Sequence, residues 1–476
     1  METVRVEKVN ECFMQVHCDD GLARDLFDFF SFSVPNAKFM PSVKNRYWDG
    51  KVRLFSIKTK RIYIGLLPYV DEFCRERGYG FEGIADVLGE KNHEKLGPET
   101  IPWLEDIGLT FEPRDYQLEA FNTAIQYGRQ LLLSPTASGK SLIIYLLARY
   151  YNKKTVIIVP TTSLVEQMTK DFIEYGYKEP ICKIYHGQEV FDAPITVTTW
   201  QSFSKAPKEV LESFDMVIGD EAHLFKAQTL KGILEKMKNT AIRIGTTGTL
   251  DGSEVHRLQL EGLFGPVKKV ISSAELIEEG TIADIKIDCL VLKHPKQQKM
   301  KYQDEMDYLV SCEERNKFIV NLVRNLKGNT LVLFQYVEKH GVILHGMLDG
   351  LVDNLHYVYG GTDTSDREEI RGIVEKAKND VILASYGTFS TGINIKRIDN
   401  IVFASPSKSR IRNLQSIGRG LRKAEGKESM RLFDIADDLQ CDNYTLEHLK
   451  ERINIYSEEN FPFELKQFDL WQQQKT

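Results

Sequence analysis

Two long stretches of this chain share one rhythm, in which short apolar runs alternate with longer amphipathic stretches. In the first, from Pro113 to about Phe264, the apolar runs are Leu131–Leu133, Val156–Val159, Ile195–Thr198, Met216–Ile218 and Ile242–Gly245. In the second, from about Ile282 to Asp438, they are Leu331–Phe334, Tyr357–Tyr359, Val381–Ala384, Ile401–Ala404 and Leu432–Ile435. Strands alternating with helices predict a parallel sheet with crossover helices, so each block is expected to be an α/β domain.

The two ends read differently. Residues 1 to about 95 are rich in aromatics and short alternating stretches, such as Val52–Ile57 and Arg61–Ile64. That pattern predicts a small mixed α/β module containing a β-hairpin, just after Tyr47 and Trp48. The polar run Gly89–Thr100 is the expected linker, and residues 441–476 form a charged tail, helical at first. The expected domains are an accessory module at 1–95, two α/β domains at 96–266 and 267–440, and the tail at 441–476.

Composition narrows the class. A chain of 476 residues is too long for one core. Its 42% hydrophobic and 27% charged content is that of a soluble globular protein. No apolar run approaches the roughly 20 residues of a membrane span, and the polar N-terminus shows no secretory pattern. Seven scattered cysteines without a Cys-x-x-Cys pair predict a reducing compartment and no zinc site. The expected location is the cytoplasm, that of the host cell if the chain comes from a phage.

Candidate chemistry sits at the strand ends of the first block. Residues 134–141, Ser-Pro-Thr-Ala-Ser-Gly-Lys-Ser, follow one apolar run and precede the amphipathic stretch from Leu142. Strand, small-residue turn and helix make the context of a phosphate-binding loop. Pro135, Thr136, Ala137, Ser138 and Gly139 would let backbone N–H groups turn toward phosphates at a helix N-terminus. Lys140 would reach the terminal phosphates and the Ser141 hydroxyl would sit on Mg²⁺. Ser134 stands where such loops usually have their first glycine. The run Met216–Gly219 then ends in Asp220-Glu221-Ala222-His223. Asp220 suits the Mg²⁺ partner, through its water shell, and Glu221 the base that deprotonates the attacking water. Both motifs together predict a site that hydrolyses ATP with Mg²⁺.

The net charge of −6 hides two basic patches. Between Asn36 and Gly65, eight basic residues, Lys51, Arg53, Lys58 and Arg61 among them, face only Asp49, a local balance of +7. Between Ser405 and Arg431, eight basic residues face two acids, a balance of +6. Local patches decide polyanion binding, whereas whole-chain charge mainly decides solubility. In the second patch, Gln415–Arg422 should be a basic helix with Arg419 and Arg422 three apart on one face, able to meet one phosphate. Supplied by the domain without the phosphate loop, they would make hydrolysis depend on closure.

The ordered set of motifs over residues 110–440 resembles a superfamily 2 helicase. Arg114-Asp115-Tyr116-Gln117 resembles the adenine-reading element, and Val159-Pro160-Thr161-Thr162 the first strand-gripping motif. Thr247-Gly248-Thr249 resembles the motif that links hydrolysis to strand movement, with His223 as its link to the Mg²⁺ site. Thr391-Gly392-Ile393-Asn394 resembles the fifth motif, in which many relatives carry an acid where Asn394 stands; the amide can still accept a ribose hydrogen bond. Gln415–Arg422 resembles the sixth, with the arginine fingers. The resemblance implies two RecA-like domains, with nucleic acid on Thr161, Thr162, Thr198, Thr199, Trp200 and Gln201 of the first. In the second it implies Gln335, Tyr336, Ser385, Thr388 and Thr391.

Phe32–Ala37 and Trp48–Val52, ahead of this motor, resemble the accessory domain of the UvsW family, recombination and repair helicases of T-even-type bacteriophages. That resemblance implies a DNA helicase for branched substrates (Holliday junctions, stalled forks, D-loops and R-loops), with annealing activity, DNA or an RNA–DNA hybrid as partner, and a monomer. Three alternatives stay open in the sequence. They are an RNA helicase, a duplex translocase that does not separate strands, and an annealing protein switched by ATP.

Overall fold

The computed structural model describes residues 2–34, 37–88, 100–185, 192–224, 227–388, 395, 397–405, 407–424 and 426–471. The chain forms two compact units, one of residues 1–134 and 139–271, the other of residues 135–138 and 272–476.

The first unit opens with a four-stranded mixed sheet, in the order Arg61–Tyr63, Phe13–His17, Thr3–Lys8, Gly80–Glu82. Val4 and Val6 are buried while Thr3, Arg5 and Glu7 face solvent, the alternation that a one-sided sheet imposes. The helix Asp20–Phe29, N-capped by Asp19, which accepts from Leu22 N at 2.9 Å, covers the buried face through Leu22 and Leu26. The helix Leu67–Arg77 adds Val70 and Phe73.

The expected hairpin forms differently. The strands that follow Trp48 belong to different sheets: Lys51–Arg53 pairs with Ser31–Ser33, and Arg61–Tyr63 pairs with Phe13–His17. Only the single bridge Ser56–Arg61 connects them. Non-local pairing won over the adjacent turn, and the hairpin of the four-stranded sheet is Thr3–Lys8 with Phe13–His17.

This module shares a continuous apolar core with the next part of the unit, from Val4 through Val156 to Phe264. Polar contacts reinforce the seam. Tyr63 OH donates to Glu235 at 2.7 Å, Tyr69 OH to Glu261 at 2.6 Å, and Arg129 pairs with Glu11 at 2.9 Å. Gly65 lies so close that a Cβ there would overlap the carbonyl oxygen of Glu261.

The rest of the unit is built on a seven-stranded parallel sheet, ordered Val267–Lys269, Arg129–Leu133, Ile242–Thr247, Met216–Gly219, Thr155–Val159, Ile195–Thr199, Ile181–Ile184. Thr155–Val159, Ile195–Thr199 and Met216–Gly219 are buried at every position, as parallel strands covered on both faces must be. Parallel strands bring their C-terminal ends to one edge, where ligands of such sheets bind.

The second unit carries another seven-stranded parallel sheet: Leu355–Val358, Val381–Ser385, Thr330–Phe334, Asn400–Phe403, Ser429–Asp438, Asp284–Lys293, Phe463–Asp469. The tail contains the expected helix, Tyr444–Glu458. Buried Arg452 on it donates to Asp434 at 2.8 Å, and Tyr456 OH donates to the same carboxylate at 2.8 Å. The tail then continues into Phe463–Asp469, the edge strand beside Asp284–Lys293. The described residues thus form two parallel-sheet domains with a small mixed N-terminal module, the fold class expected. None of their helices is long and apolar enough to cross a membrane.

Candidate functional site

Strand Arg129–Leu133 runs into the phosphate-loop turn and then the helix Lys140–Tyr151, whose residues 142–148 are all buried. The turn needs left-handed backbone at Ala137 (φ +69°) and Gly139 (φ +77°). For Ala137 that conformation carries strain, which functional turns tolerate when their surroundings hold them. At Gly139 a Cβ would also strike the Gln117 amide. Ser138 Oγ closes the turn on Pro135 O at 2.7 Å. Ser134, in the place of the usual glycine, is buried and donates its N–H to Thr247 O at 2.8 Å. The helix starts at Lys140, and Gly139 before it offers no side-chain cap, an N-terminus suited to an anion.

The acids sit at the end of the buried strand Met216–Gly219, separated from Arg129–Leu133 by the strand Ile242–Thr247. Asp220 is buried and its Oδ1 accepts from Thr246 Oγ1 at 2.6 Å and from Glu221 N at 2.9 Å. Glu221 takes a left-handed φ of +51°, which turns its side chain out of the strand's alternation. Its carboxylate lies 3.3 Å from Lys140 Nζ and 3.4 Å from His223 Nδ1. Burial and the neighbouring Glu221 charge push the Asp220 carboxyl up. Burial also works against ionisation of Glu221, but Lys140 and then His223 outweigh it and hold this carboxyl below its usual range. Neighbouring carboxyls driven apart in this way are a mark of acid–base sites.

His223 is buried and depressed to about 4, chiefly by desolvation, so it is neutral near pH 7. Its Nδ1 bonds Thr247 Oγ1. The Thr247 hydroxyl has one hydrogen, and it goes to Thr249 O at 2.9 Å. Nδ1 must therefore carry the imidazole proton and donate it. A continuous chain of contacts runs from Lys140 through Glu221 and His223 to Thr247 and Thr249.

Ser141 Oγ is 2.8 Å from Tyr175 OH, a partner that sequence reasoning missed because it lies 34 residues away. Thr246 was missed as well, although its position beside Thr247 offered a signal. Arg114 and Gln117 form a reciprocal cap on the helix Asp115–Tyr127: Gln117 Oε1 accepts from Arg114 N at 2.9 Å, and its Nε2 points to Gly139 O at 3.4 Å. The oxygen donors of Ser141 and Asp220 suit a hard cation such as Mg²⁺. Among the described residues no group of three or more His, Cys, Asp or Glu could hold a metal. Phosphate oxygens and water would have to complete the coordination, as is usual for Mg²⁺.

The expected nucleic-acid residues divide by exposure. Thr162, Gln201 and Gln335 are exposed, while Thr161, Trp200 and Tyr336 are half-buried. Thr161 caps the helix Thr162–Glu174, and Trp200 packs against the core. Thr198, Thr199, Ser385 and Thr388 are buried. Thr198 Oγ1 donates to Ile184 O at 2.8 Å, Thr199 caps the turn at Ser202, and Ser385 bonds Thr388 at 2.8 Å. In the second unit Ser405, also unforeseen, joins three strand ends. Its Oγ accepts from Gln335 N at 3.1 Å and meets His340 Nδ1 at 3.1 Å, and its carbonyl accepts from Tyr386 OH at 3.0 Å. Thr391 and Asn394, with the motif they belong to, lie outside the described residues.

The expected helix through Arg422 ends earlier. It spans Arg410–Gly420, placing Arg419 in its last turn and Arg422 beyond it, so the two do not share a helical face. Gly420 lets the helix approach the strand Asn400–Phe403, where a Cβ would come within 2.7 Å of Ile401. Its carbonyl accepts from buried Lys427 Nζ, which closes the helix there.

In the N-terminal module, Lys51, Lys58 and Arg61 are exposed as expected. Arg53 is exposed too, but it pairs with Asp49 and stacks 5.1 Å over Phe27, so part of its charge is already matched. Arg61 Nε reaches Gln15 Oε1 at 3.4 Å.

Three family models match the chain. They describe the N-terminal domain of DNA helicase UvsW over residues 4–82, the res subunit of type III restriction enzymes over 110–252, and the helicase conserved C-terminal domain over 314–424. The ATP-dependent DNA helicase UvsW of Enterobacteria phage T4 is 32% identical, over 96% of this chain and 98% of its own length. The crystal structure of T4 UvsW superposes with a TM-score of 0.53 at 29% identity, over 98% of this chain and all of that one. A fragment of an HsdR subunit of a type I restriction enzyme from Vibrio vulnificus shares the fold, with a TM-score of 0.59 at 17% identity over 84% of this chain and 74% of its own. An ATPase-type site on one of two parallel-sheet domains, with a UvsW-type module fused ahead of it, accounts for all three matches: the chain belongs to the UvsW family of superfamily 2, the ATP-dependent DNA helicases.

Proposed function

We propose that this helicase acts on branched DNA, with residues 1–95 as a junction-gripping accessory domain, 96–266 and 267–440 as the two motor domains, and 441–476 as a tail that completes the second. In this reading the phosphate loop and Lys140 hold the ATP phosphates, while Ser141 and Asp220 hold Mg²⁺, which neutralises charge on the phosphate oxygens when bound. Lys140 leaves Glu221 for the phosphates and frees that carboxylate to orient and deprotonate water. The depressed carboxyl of Glu221 is compatible with a group that is ionised before water arrives. Neutral His223 reports the state of Glu221 to Thr247 and Thr249. Arg419 and Arg422 supply the cationic charge for hydrolysis, one from a helix end and the other from the turn after it. Gln117 and Arg114 read the adenine once the Gln117 amide gives up its present partners, and Asn394 contacts the ribose.

DNA is held by the exposed Thr162, Gln201 and Gln335 and by half-buried Thr161, Trp200 and Tyr336. At Thr198, Thr199, Ser385 and Thr388 the hydroxyls serve local structure, and backbone groups are left to meet phosphates. The observation that carries the branched-DNA reading is the +7 segment between Asn36 and Gly65, on a module sharing one core with the ATP-binding domain. A grip on one duplex arm is thereby rigidly tied to a motor pulling a strand. Strand displacement on forked DNA, forked RNA and blunt duplex, each with and without ATP, tests it. Separation of forked DNA alone, and only with ATP, is expected. Equal action on blunt duplex or RNA would overturn the branch assignment.

A further inference from the structure

The strands Ser31–Ser33 and Lys51–Arg53 form a sheet of their own, two strands only, with Ser31 opposite Arg53 and Ser33 opposite Lys51. Its root is fixed, since Phe32 and Val52 pack on the core of the first unit. Val34 N donates to Gly50 O at 2.9 Å and pinches the ribbon shut beyond the last strand pair. The residues carried past that pinch, 37–50, form a compact crown. It contains a single turn at Ala37–Phe39, the short helix Pro41–Lys44, and a return in which Tyr47 N and Trp48 N both donate to Ser42 O. Trp48 Nε1 bonds Lys51 O at 2.8 Å, and Gly50 (φ +78°) sits so tightly that a Cβ would lie 2.9 Å from that of Ala37. The crown is folded, not frayed.

Its outer surface is unusual. Tyr47 is 86% exposed, Phe39 62% and Met40 39%. Lys38, Lys44 and Arg46 are exposed on the same crown, and Lys38 Nζ lies 5.1 Å over the Phe39 ring. The one acid, Asp49, is occupied by Arg53 and by Lys51 N. Rings interleaved with cations on a folded projection match the face of an unstacked nucleobase flanked by phosphates.

We propose that the crown is a base-stacking wedge: Tyr47 and Phe39 stack on the bases exposed at the branch point of DNA, while Lys38, Lys44 and Arg46 hold the adjoining phosphates. This rests on the branched-DNA reading above and assigns it a ligand, the terminal or unpaired base, in addition to the duplex backbone. Strand separation exposes such bases at the junction, so the ligand is present where the motor works.

The test uses the full chain and forked DNA with 2-aminopurine at the first unpaired position or deep within one arm. The double variant Phe39→Ala/Tyr47→Ala should bind the fork roughly fivefold or more weakly, the low end for loss of one to two stacked bases. It should also lose the fluorescence change at the branch position, with the salt slope of binding kept, because no phosphate contact is removed. Phe39→Tyr/Tyr47→Phe, which keeps both rings, should retain affinity and signal. Parental affinity and signal in the double Ala variant would overturn the proposal. So would equal loss in the ring-retaining variant, or a weakening as large on blunt duplex as on the fork. Reversal of Lys51, Lys58 and Arg61 to glutamate tests the backbone grip separately, through the salt slope.

Discussion

Replacing Lys140 with methionine keeps the length and bulk of the side chain and removes one charge from a buried pair of carboxyls. In the parent, Lys140 Nζ stands 3.3 Å from Glu221, whose side chain is largely buried, and Asp220 is the adjoining residue. At an effective dielectric constant of about 20, that pair attracts by roughly 5 kcal/mol before desolvation is counted. Removing one partner of a buried pair costs at most about 3–5 kcal/mol. His223 cannot substitute as the cation near pH 7, because it titrates at about 4. The carboxyls can instead take up a proton, which limits the loss to about 1.4 kcal/mol for each pH unit between the solution and their raised titration point. We expect Lys140→Met to lose about 2–3 kcal/mol of stability near pH 8 and less than about 1 near pH 5.

The direction follows from the two titrations. In the parent, the depressed Glu221 contributes stability above its ordinary range and loses it as pH falls through the depressed value. In the variant both carboxyls are raised, so stability is lost as pH rises. Thermal unfolding of nucleotide-free parent and variant across that range would read the difference as a gap of about 5 °C or more at the alkaline end, closing toward the acid end. A gap independent of pH would mean instead that Lys140 does not set the charge of the pair. ATP turnover should be abolished at every pH.

Three further outcomes are expected. Gly65→Ala places a methyl group against the carbonyl of Glu261 and should cost about 1–3 kcal/mol, read as a lower unfolding temperature and earlier proteolysis of the N-terminal module; unchanged behaviour would mean that the module is not seated as described. Arg419→Ala and Arg422→Ala should each bind ATP almost as the parent does yet hydrolyse it about 10³-fold more slowly, whereas equal loss of nucleotide affinity would indicate a ground-state role. Tyr175→Phe keeps the ring against Tyr145 and Phe111 but removes the hydroxyl from Ser141. Its affinity for a nucleotide analogue should fall about 2- to 10-fold with Mg²⁺ and stay the same without it; an equal fall in both conditions would detach Tyr175 from the Mg²⁺ side of the site.

What the sequence made legible was the periodic part of the fold and the chemistry written in contiguous residues. Every apolar run named in the two blocks lies within or overlaps a strand, because a parallel strand covered on both faces has to be apolar throughout. The missed strands were of another kind. Ile181–Ile184, Val267–Lys269 and Phe463–Asp469 are sheet edges with partly or largely exposed residues, so their pattern is weak. Asp284–Lys293 changes from alternating to continuous burial midway, which matches neither template. The phosphate loop and Asp220–His223 lie at the strand ends of one sheet, yet the details that tune them are non-local. Thr246 supports Asp220 from 26 residues away, and Tyr175 meets Ser141 across 34. The helix through Arg419 stopped two residues early because Gly420 is packed on Ile401 and capped by Lys427. The hydroxyls of Thr198, Thr199, Ser385 and Thr388 went to neighbouring backbone and side chains, since a buried polar group must find a partner.

In the proposed function, ATP hydrolysis at Lys140, Asp220 and Glu221 drives separation of branched DNA. The most direct measurement follows nucleotide binding, single-turnover hydrolysis and fork separation together in Glu221→Gln. This variant should bind ATP like the parent, because the shape is kept, and hydrolyse it about 10²- to 10⁴-fold more slowly, because the base is gone. It should leave the fork intact over the time in which the parent separates it. Normal turnover in the Gln variant would mean that Glu221 is not the base, and fork separation without turnover that hydrolysis does not drive the strands apart.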